Sequence, residues 1–184
     1  MKYRNVVKID EVGRLVIPKE MRKLLNLDQK LVSVKVDGAS LVIRGYAPVY
    51  RHKTLVKNLC DKVGELTSYT CFAGDENCIT YVSDGKFAFL EGKKLSGDFL
   101  AKLKGESAFV CNCSDGCKPF SVLCMQNTSF KSLLIMPVKN QTFTTVGFFA
   151  LLSDNESAKF TEREIYSLAL AKELFLITIE NCDK

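Results

Sequence analysis

The sequence predicts an α+β fold in two domains, residues 1–50 and residues 51–184. Short apolar runs separated by glycine turns fill the first 45 residues, which is typical of a small β-rich domain. Glycine and proline in the segment 45–48 disfavour both strand and helix, so they mark a domain boundary. A long apolar helical pattern after Thr161 ends the second domain, in which helices and strands are mixed.

Composition and charge limit the class of protein. The chain is 47% apolar and 26% charged, which is a globular composition. Because no apolar run approaches the roughly 18 residues of a membrane span and the start lacks a secretion signal, we expect a cytoplasmic protein without a membrane partner. Residues 1–53 contain 12 Lys and Arg against 5 Asp and Glu, a net +7, whereas residues 54–184 contain 14 against 16, a net −2. The basic first domain therefore suits a polyanion partner, and a merely solvated surface is the alternative.

The first domain is predicted to contain four short strands and one helix. A strand at 7–9, a glycine turn and a strand at 15–17 come first. Pro18 then opens a short helix as its first residue, and Asn26 can end it. Residues 31–43 form a β-hairpin around an Asp-Gly turn.

A domain of this size is too small to hold a sufficient core alone. Chains of about 40 residues usually need a metal, a disulfide or a partner to fold, and no cysteine precedes Cys60. We therefore predict an obligate homodimer in which strands of two chains complete one sheet system. A two-fold dimer would also double the basic surface.

In the second domain the sequence predicts an amphipathic helix, a sheet of about five strands and a long final helix. The final helix starts at Thr161, which forms a capping box with Glu164. Its apolar residues extend around more than one face, so one side should contact the sheet and the other a second subunit, giving a homotetramer. The predicted elements are helices over 52–66 and 98–104 and strands at 69–72, 79–82, 121–125, 132–138 and 144–152.

Basic side chains concentrate at the glycine turn and the helix of the first domain. Lys19, Arg22 and Lys23 have the spacing i, i+3 and i+4, so they share one helix face. Arg14 follows Gly13, which is expected at positive φ. These side chains can contact phosphates, and the alternatives are a solvated helix face and an ion pair between Arg14 and the preceding acidic pair.

Residues 9–22 resemble the AbrB/SpoVT-type swapped-hairpin transcription regulators. The shared motif is an acidic pair, glycine, arginine, three aliphatic residues, proline and a basic helix, and it covers most of residues 1–46. The resemblance implies a swapped-hairpin β dimer that binds double-stranded DNA, reading its shape more than a fixed base sequence. The sequence departs from the family at Val7, where close relatives often carry a second basic residue. The expected DNA contacts are Lys8, Arg14, Lys19, Arg22 and Lys23.

The order and length of the remaining chain are similar to those of sporulation regulators of this family, whose second domain is a GAF domain. The hairpin that ends in residues 78–83 contributes to this likeness. The resemblance implies a GAF-like sensor domain, a small-molecule effector and a nucleoid-associated regulator. The side chains that can line an effector pocket, or simply fill a core, are Phe87, Phe89, Phe109 and Phe120.

The cysteines are concentrated in one segment. The chain has eight, and in a cytoplasmic protein we expect them as reduced thiols. Cys111, Cys113 and Cys117 are close enough in sequence to bind zinc or an iron–sulfur centre. A redox pair and inert structural thiols are the alternatives. A fourth metal ligand would come from Cys71, Cys78 or Cys124.

The common catalytic motifs are missing from the sequence. His52 is the single histidine and lies near the domain linker, and there is neither a Walker loop nor a Gly-x-Gly-x-x-Gly turn. We therefore expect a protein that is not an enzyme. An antitoxin-like, partner-binding protein is a further alternative, which the size of the second domain disfavours.

Overall fold

The computed structural model describes residues 7–25, 27, 32–105, 107–116, 120–123 and 129–182. Its contacts divide the chain into two compact units, Met1–Ala47 (unit 1) and Pro48–Lys184 (unit 2). Both contain helices and antiparallel strands, so the chain belongs to the α+β class, as predicted.

Unit 1 contains one short helix and one hairpin. The helix is α1 (Lys19–Leu24), and the hairpin joins β1 (Val32–Asp37) to β2 (Ser40–Gly45). Two residues link the strands, and the first of them, Gly38, has a φ of +56°, which favours glycine. The predicted hairpin is therefore confirmed. Asn26, the predicted end of α1, lies outside the described residues.

The two strands predicted at 7–9 and 15–17 are not formed. One bridge joins Ile9 to Leu15, and in the part of unit 1 that the structure describes no further strand pairs with them. The prediction of four strands is wrong for a single chain, because two isolated short strands are not stable without a neighbour. Pro18 also differs, since it precedes α1 with an extended ψ of 144°. The swapped-hairpin dimer needs a second chain and stays a prediction.

Unit 2 is built around a five-stranded antiparallel sheet. Its strand order is β4-β3-β9-β8-β5, so the two longest strands lie at and beside the centre. The predicted hairpin and the last two predicted strands are confirmed. The strands are β3 (Thr70–Gly74), β4 (Ile79–Val82), β5 (Phe109–Asn112), β8 (Ser132–Lys139) and β9 (Thr145–Ser153), with a separate short pair of β6 (Phe120–Ser121) and β7 (Ser129–Phe130).

Helices cover both faces of this sheet. The helices α3 (Lys53–Thr67) and α5 (Glu162–Cys182) pack on one face, preceded by the single turn α2 (Pro48–Arg51). On the other face lie α4 (Gly97–Leu103) and a 3₁₀ helix over Gly85–Leu90. The three helices predicted in this part are confirmed to within one residue at each N-terminus.

Adjacent phenylalanines of β9 show how both sheet faces are filled. Phe148 packs with Phe72 and Phe99, with ring centroids 5.7 and 5.0 Å away. Phe149 points to the opposite face and contacts Phe175 of α5 at 5.8 Å. All five rings are fully buried. Burial of both faces explains why these strands read as continuous apolar runs rather than as an alternating pattern.

One strand of the sheet was missed from the sequence, and one predicted strand differs. Residues 109–112 form β5, although the sequence interpretation treated this stretch as part of a cysteine cluster. Of the strand predicted at 121–125, the described residues contribute only the end of β6, and residues 124–128 lie outside them.

The start of α5 keeps half of the predicted capping box. The Thr161 N–H donates to Glu164 Oε2 at 2.8 Å. The Thr161 hydroxyl donates to the same oxygen at 2.7 Å, whereas the predicted box has it accept from the Glu164 N–H. Burial would raise the pKa of Glu164, but these hydrogen bonds outweigh it and lower the pKa.

We expect Gly147→Ala to destabilise unit 2 by about 2 kcal/mol, because β9 passes close to β3 and α2 at this residue. A Cβ there would overlap the Val49 side chain and approach the Gly74 carbonyl oxygen to 2.9 Å. Gly97→Ala is the control, since its Cβ meets nothing within 4 Å. Chemical denaturation of both variants measures the difference, and equal stabilities would contradict this packing.

Candidate functional site

The turn before α1 is held together by Asp10. Its Oδ1 accepts hydrogen bonds from the backbone N–H of Val12 at 3.1 Å and of Arg14 at 2.8 Å. Its Oδ2 accepts from Arg14 Nε at 2.8 Å. The backbone and side-chain bonds from Arg14 hold the pKa of Asp10 below its usual value. Gly13 has a φ of +81°, which confirms the expected positive φ.

The basic residues of unit 1 are at its surface. The Arg14 side chain is 75% exposed even though its Nε is paired with Asp10. Lys8, Lys19, Arg22 and Lys23 are exposed as well, and α1 has no buried residue. Arg22 and Lys23 lie in the last turn of α1, where cations also interact favourably with the helix dipole. Contact of these side chains with DNA stays a prediction.

Unit 1 also exposes most of its apolar residues. Leu27 is the one buried side chain among the residues of this unit that the structure describes. A groove of about 370 Å³ runs along the unit, lined entirely by apolar residues of the turn, α1 and β2. The most exposed apolar residues are Ile9, Val12, Leu15, Val16, Leu24, Leu25, Val32, Val34, Val36 and Leu41, at 42–77%.

The cysteine cluster is only partly described. Cys111 is buried and in a disulfide bond, and Cys113 is a half-buried free thiol. Cys117 and Cys124 lie outside the described residues. The expectation of reduced thiols is therefore wrong at Cys111.

The metal prediction has no support in the described part of the chain. Within those residues no group of three or more His, Cys, Asp or Glu side chains could hold a metal ion. Cys111 in its disulfide is not a thiolate ligand. A site that includes Cys117 stays a prediction.

Two further cysteines lie inside unit 2. Cys60 of α3 and Cys71 of β3 are both fully buried free thiols, and their side chains are hydrogen-bonded. Burial, together with this contact, raises the pKa of Cys60. Burial therefore shields both thiols from reagents.

An acidic cleft of about 610 Å³ opens between α3 and the β3–β4 hairpin. The Tyr81 hydroxyl donates to Asp61 Oδ1 at 2.7 Å, and burial together with this bond raises the pKa of Tyr81. Asp61, Glu65 and Asp84 give the cleft a negative character that suits cations. The sequence interpretation missed it because its lining comes from separate elements: Asp61, Gly64, Glu65, Ser68, Tyr69, Thr70, Tyr81, Ser83, Asp84 and Gly85.

Comparison with known proteins gives likenesses of structure alone, since no family model and no curated protein sequence matches. A type II free methionine-R-sulfoxide reductase from Thermoplasma acidophilum is 15% identical, with a TM-score of 0.51 over 70% of this chain and 92% of that one. A GAF domain of a sensor histidine kinase from Bacillus halodurans is 12% identical, with a TM-score of 0.49 over 72% and 98%. An IclR transcriptional regulator from Alicyclobacillus acidocaldarius is 11% identical, with a TM-score of 0.45 over 85% and 83%. Only the reductase has a TM-score above 0.5, and at 15% identity this likeness shows a similar fold and nothing more.

The reductase corrects one sequence prediction. The reductase, whose fold is similar, is an enzyme. The prediction that this protein is not an enzyme, which was argued from missing motifs and a single histidine, is therefore wrong. That histidine, His52, packs its ring edge-on against Phe175 with centroids 6.5 Å apart. A fold alone does not identify a reaction.

Among the described residues, no helix is both long and apolar enough to cross a bilayer.

Proposed function

We propose that this chain is a DNA-binding transcription regulator. Unit 1 binds duplex DNA as a homodimer, and unit 2 is a GAF-like domain that senses a small molecule and joins dimers into tetramers. The family resemblance of residues 9–22 supports this function. The main support is the surface of unit 1, which exposes both apolar and basic side chains.

The dimer is supported by apolar surface that unit 1 leaves uncovered. Val16, Val34 and Val36 are 57–72% exposed, and the groove beside α1 has a wholly apolar lining. Isolated exposed apolar residues are common, but this many in so small a unit leave it without a core. A second copy is the natural occupant, since it brings the same unburied residues and a two-fold arrangement buries both sets together.

Duplex DNA is supported by the charge of the same unit. Residues 1–47 contain 10 Lys and Arg against 5 Asp and Glu, a net charge of +5, and the exposed basic residues lie on the Asp10 turn and on α1. Lys and Arg that contact phosphates release condensed counterions, which supplies affinity without base contacts. In a two-fold dimer these basic groups would occur twice, as suits the symmetry of a duplex.

Assembly through unit 2 is supported by the outer face of α5. Tyr166, Leu170, Leu174 and Ile177 form one stripe along the helix, and each is 46–69% exposed. The opposite face of α5 is buried against the sheet. We propose that the stripe contacts α5 of another copy, so that unit 2 sets the spacing of two unit 1 dimers and an effector alters that spacing.

Binding of a labelled duplex to the full chain over a salt series tests the proposal. We expect log Kd to depend on log salt with a slope of about 4 or steeper, because several phosphates are neutralised by each dimer. Fluorescence anisotropy measures this directly. Binding that is absent at low salt, or that does not change with salt, would contradict the proposed function.

A further inference from the structure

The turn before α1 joins Asp10 and Arg14 through their backbones as well as their side chains. The Asp10 N–H donates to the Arg14 carbonyl at 3.1 Å, next to the bridge between Ile9 and Leu15. The Gly13 N–H donates to the Asp10 carbonyl at 2.9 Å. The bond from Arg14 Nε to Asp10 Oδ2 therefore forms between two residues whose backbones are already fixed relative to each other.

The Arg14 guanidinium is bonded along one edge and open along the other. Asp10 Oδ2 accepts from Nε, and neither Nη1 nor Nη2 is bonded to a residue that the structure describes. Because the Arg14 side chain is 75% exposed, the Nη1–Nη2 edge can be reached from solvent. The donors of this edge form a planar fork that matches two neighbouring acceptor atoms. Asp10 thus orients the guanidinium and leaves that fork available.

The charge of Asp10 is unfavourable on a surface that binds a polyanion. Its carboxylate repels nearby phosphates, and the side chain is 40% exposed. An ion pair between two exposed groups also adds little to the stability of the fold. The effect that can offset this repulsion is the order that Asp10 gives to the Arg14 side chain, because a long side chain that is already held loses less conformational entropy on binding.

We propose that Asp10 is a positioning residue for DNA binding, which holds the Arg14 guanidinium so that Nη1 and Nη2 donate to a pair of neighbouring acceptors on the duplex. The pair is two oxygens of one phosphate, or O6 and N7 of one guanine. This inference rests on the proposed function for the duplex as the partner.

Asp10→Asn separates the positioning effect from the effect of charge. Asn keeps an oxygen that can accept from the Val12 and Arg14 N–H groups, but an NH2 group replaces the oxygen that accepts from Arg14 Nε. The variant also gains one positive charge per chain, which alone would tighten binding to a polyanion. We expect instead about fivefold weaker binding of a labelled duplex in fluorescence anisotropy. Affinity equal to or above that of the unaltered chain would overturn the proposal.

Glu11→Gln is the matched control. Glu11 is the next residue and is exposed, and it has no hydrogen bond or ion pair within the described part of the chain. The substitution makes the same change of charge without removing a contact of Arg14. We expect affinity that is unaltered or slightly higher. A loss as large as that of Asp10→Asn would show that the Arg14 contact is not its cause, and the proposal would be wrong.

A double-mutant cycle tests whether Asp10 acts through Arg14. Arg14→Lys keeps the charge but lacks both the Nε donor and the planar fork, so we expect it to bind about fivefold more weakly. In the Arg14→Lys chain, Asp10→Asn should cause no further loss. A second loss of the same size would assign Asp10 to the stability of the turn and would contradict a positioning role.

The two kinds of acceptor are distinguished by the base composition of the duplex. A duplex of A·T pairs alone has phosphates but no guanine. If Asp10→Asn weakens binding equally on this duplex and on one of mixed sequence, the acceptors are phosphate oxygens. A loss that occurs only on the mixed duplex identifies guanine.

NMR relaxation of the full chain without DNA tests the orientation by itself. We expect the Arg14 Nε–H to have a heteronuclear NOE close to that of the backbone amides of its turn, and to lose this order in Asp10→Asn. Arg22, which is exposed on α1, should be mobile at Nε in both chains. A mobile Arg14 in the unaltered chain would overturn the inference even if the duplex binds. Absence of duplex binding, with Arg14 ordered, would instead refute the proposed function.

Discussion

The Val16→Asp variant is expected to lose duplex affinity by roughly 100-fold, because it places a carboxylate in the apolar surface through which two copies of unit 1 associate. Val16 is 71% exposed in the single chain, where the substitution should change the free energy of unfolding by less than about 0.5 kcal/mol. A large loss of affinity would therefore report an interface and not damage to the fold. Anisotropy with a labelled duplex measures it, and sedimentation velocity measures the accompanying change of mass.

Phe143→Asp is the matched control for that variant. Phe143 is 85% exposed at the turn between β8 and β9 of unit 2, so it receives the same carboxylate on an exposed apolar position. We expect its duplex affinity to equal that of the unaltered chain. If Val16→Asp also binds with unaltered affinity, the apolar surface of unit 1 is not a dimer contact.

The double variant Arg22→Glu, Lys23→Glu is expected to bind the duplex at least about tenfold more weakly at moderate salt. Both side chains lie exposed in the last turn of α1, and a dimer would present them twice. Each lost phosphate contact should lower the slope of log Kd against log salt by about 0.9. The slope therefore shows whether the affinity was lost through phosphate contacts.

Lys93→Glu, Lys94→Glu changes the net charge by the same amount on exposed residues of unit 2. We expect this control to lower affinity only slightly and to keep the salt slope. If the two double variants behave alike, the overall charge of the chain matters and the face of α1 does not.

Sequence patterns predicted most elements of unit 2 because those elements pack within one chain. The apolar spacing of α3 and the continuous apolar runs of β8 and β9 follow directly from burial against a shared sheet. The capping residues located α5 to within one residue of its start. Local propensity and tertiary packing agree at these places, so the pattern alone was sufficient.

The features that the sequence did not predict depend on neighbours distant in sequence. β5 is a four-residue edge strand whose only strand partner among the described residues is β8, and its cysteines suggested a ligand instead of a strand. The acidic cleft brings Asp61 and Asp84 together from different elements. Among the described residues, the strands predicted before α1 have no partner beyond the single Ile9–Leu15 bridge, so their apolar pattern indicates either a second chain or a segment without regular structure.

The stoichiometry of the full chain on DNA tests the central claim most directly. Sedimentation equilibrium with one labelled duplex gives the mass of the complex, and hence the number of chains bound. The account requires two or four chains per duplex, with no complex that contains a single chain. A single chain bound to a duplex with full affinity would contradict it.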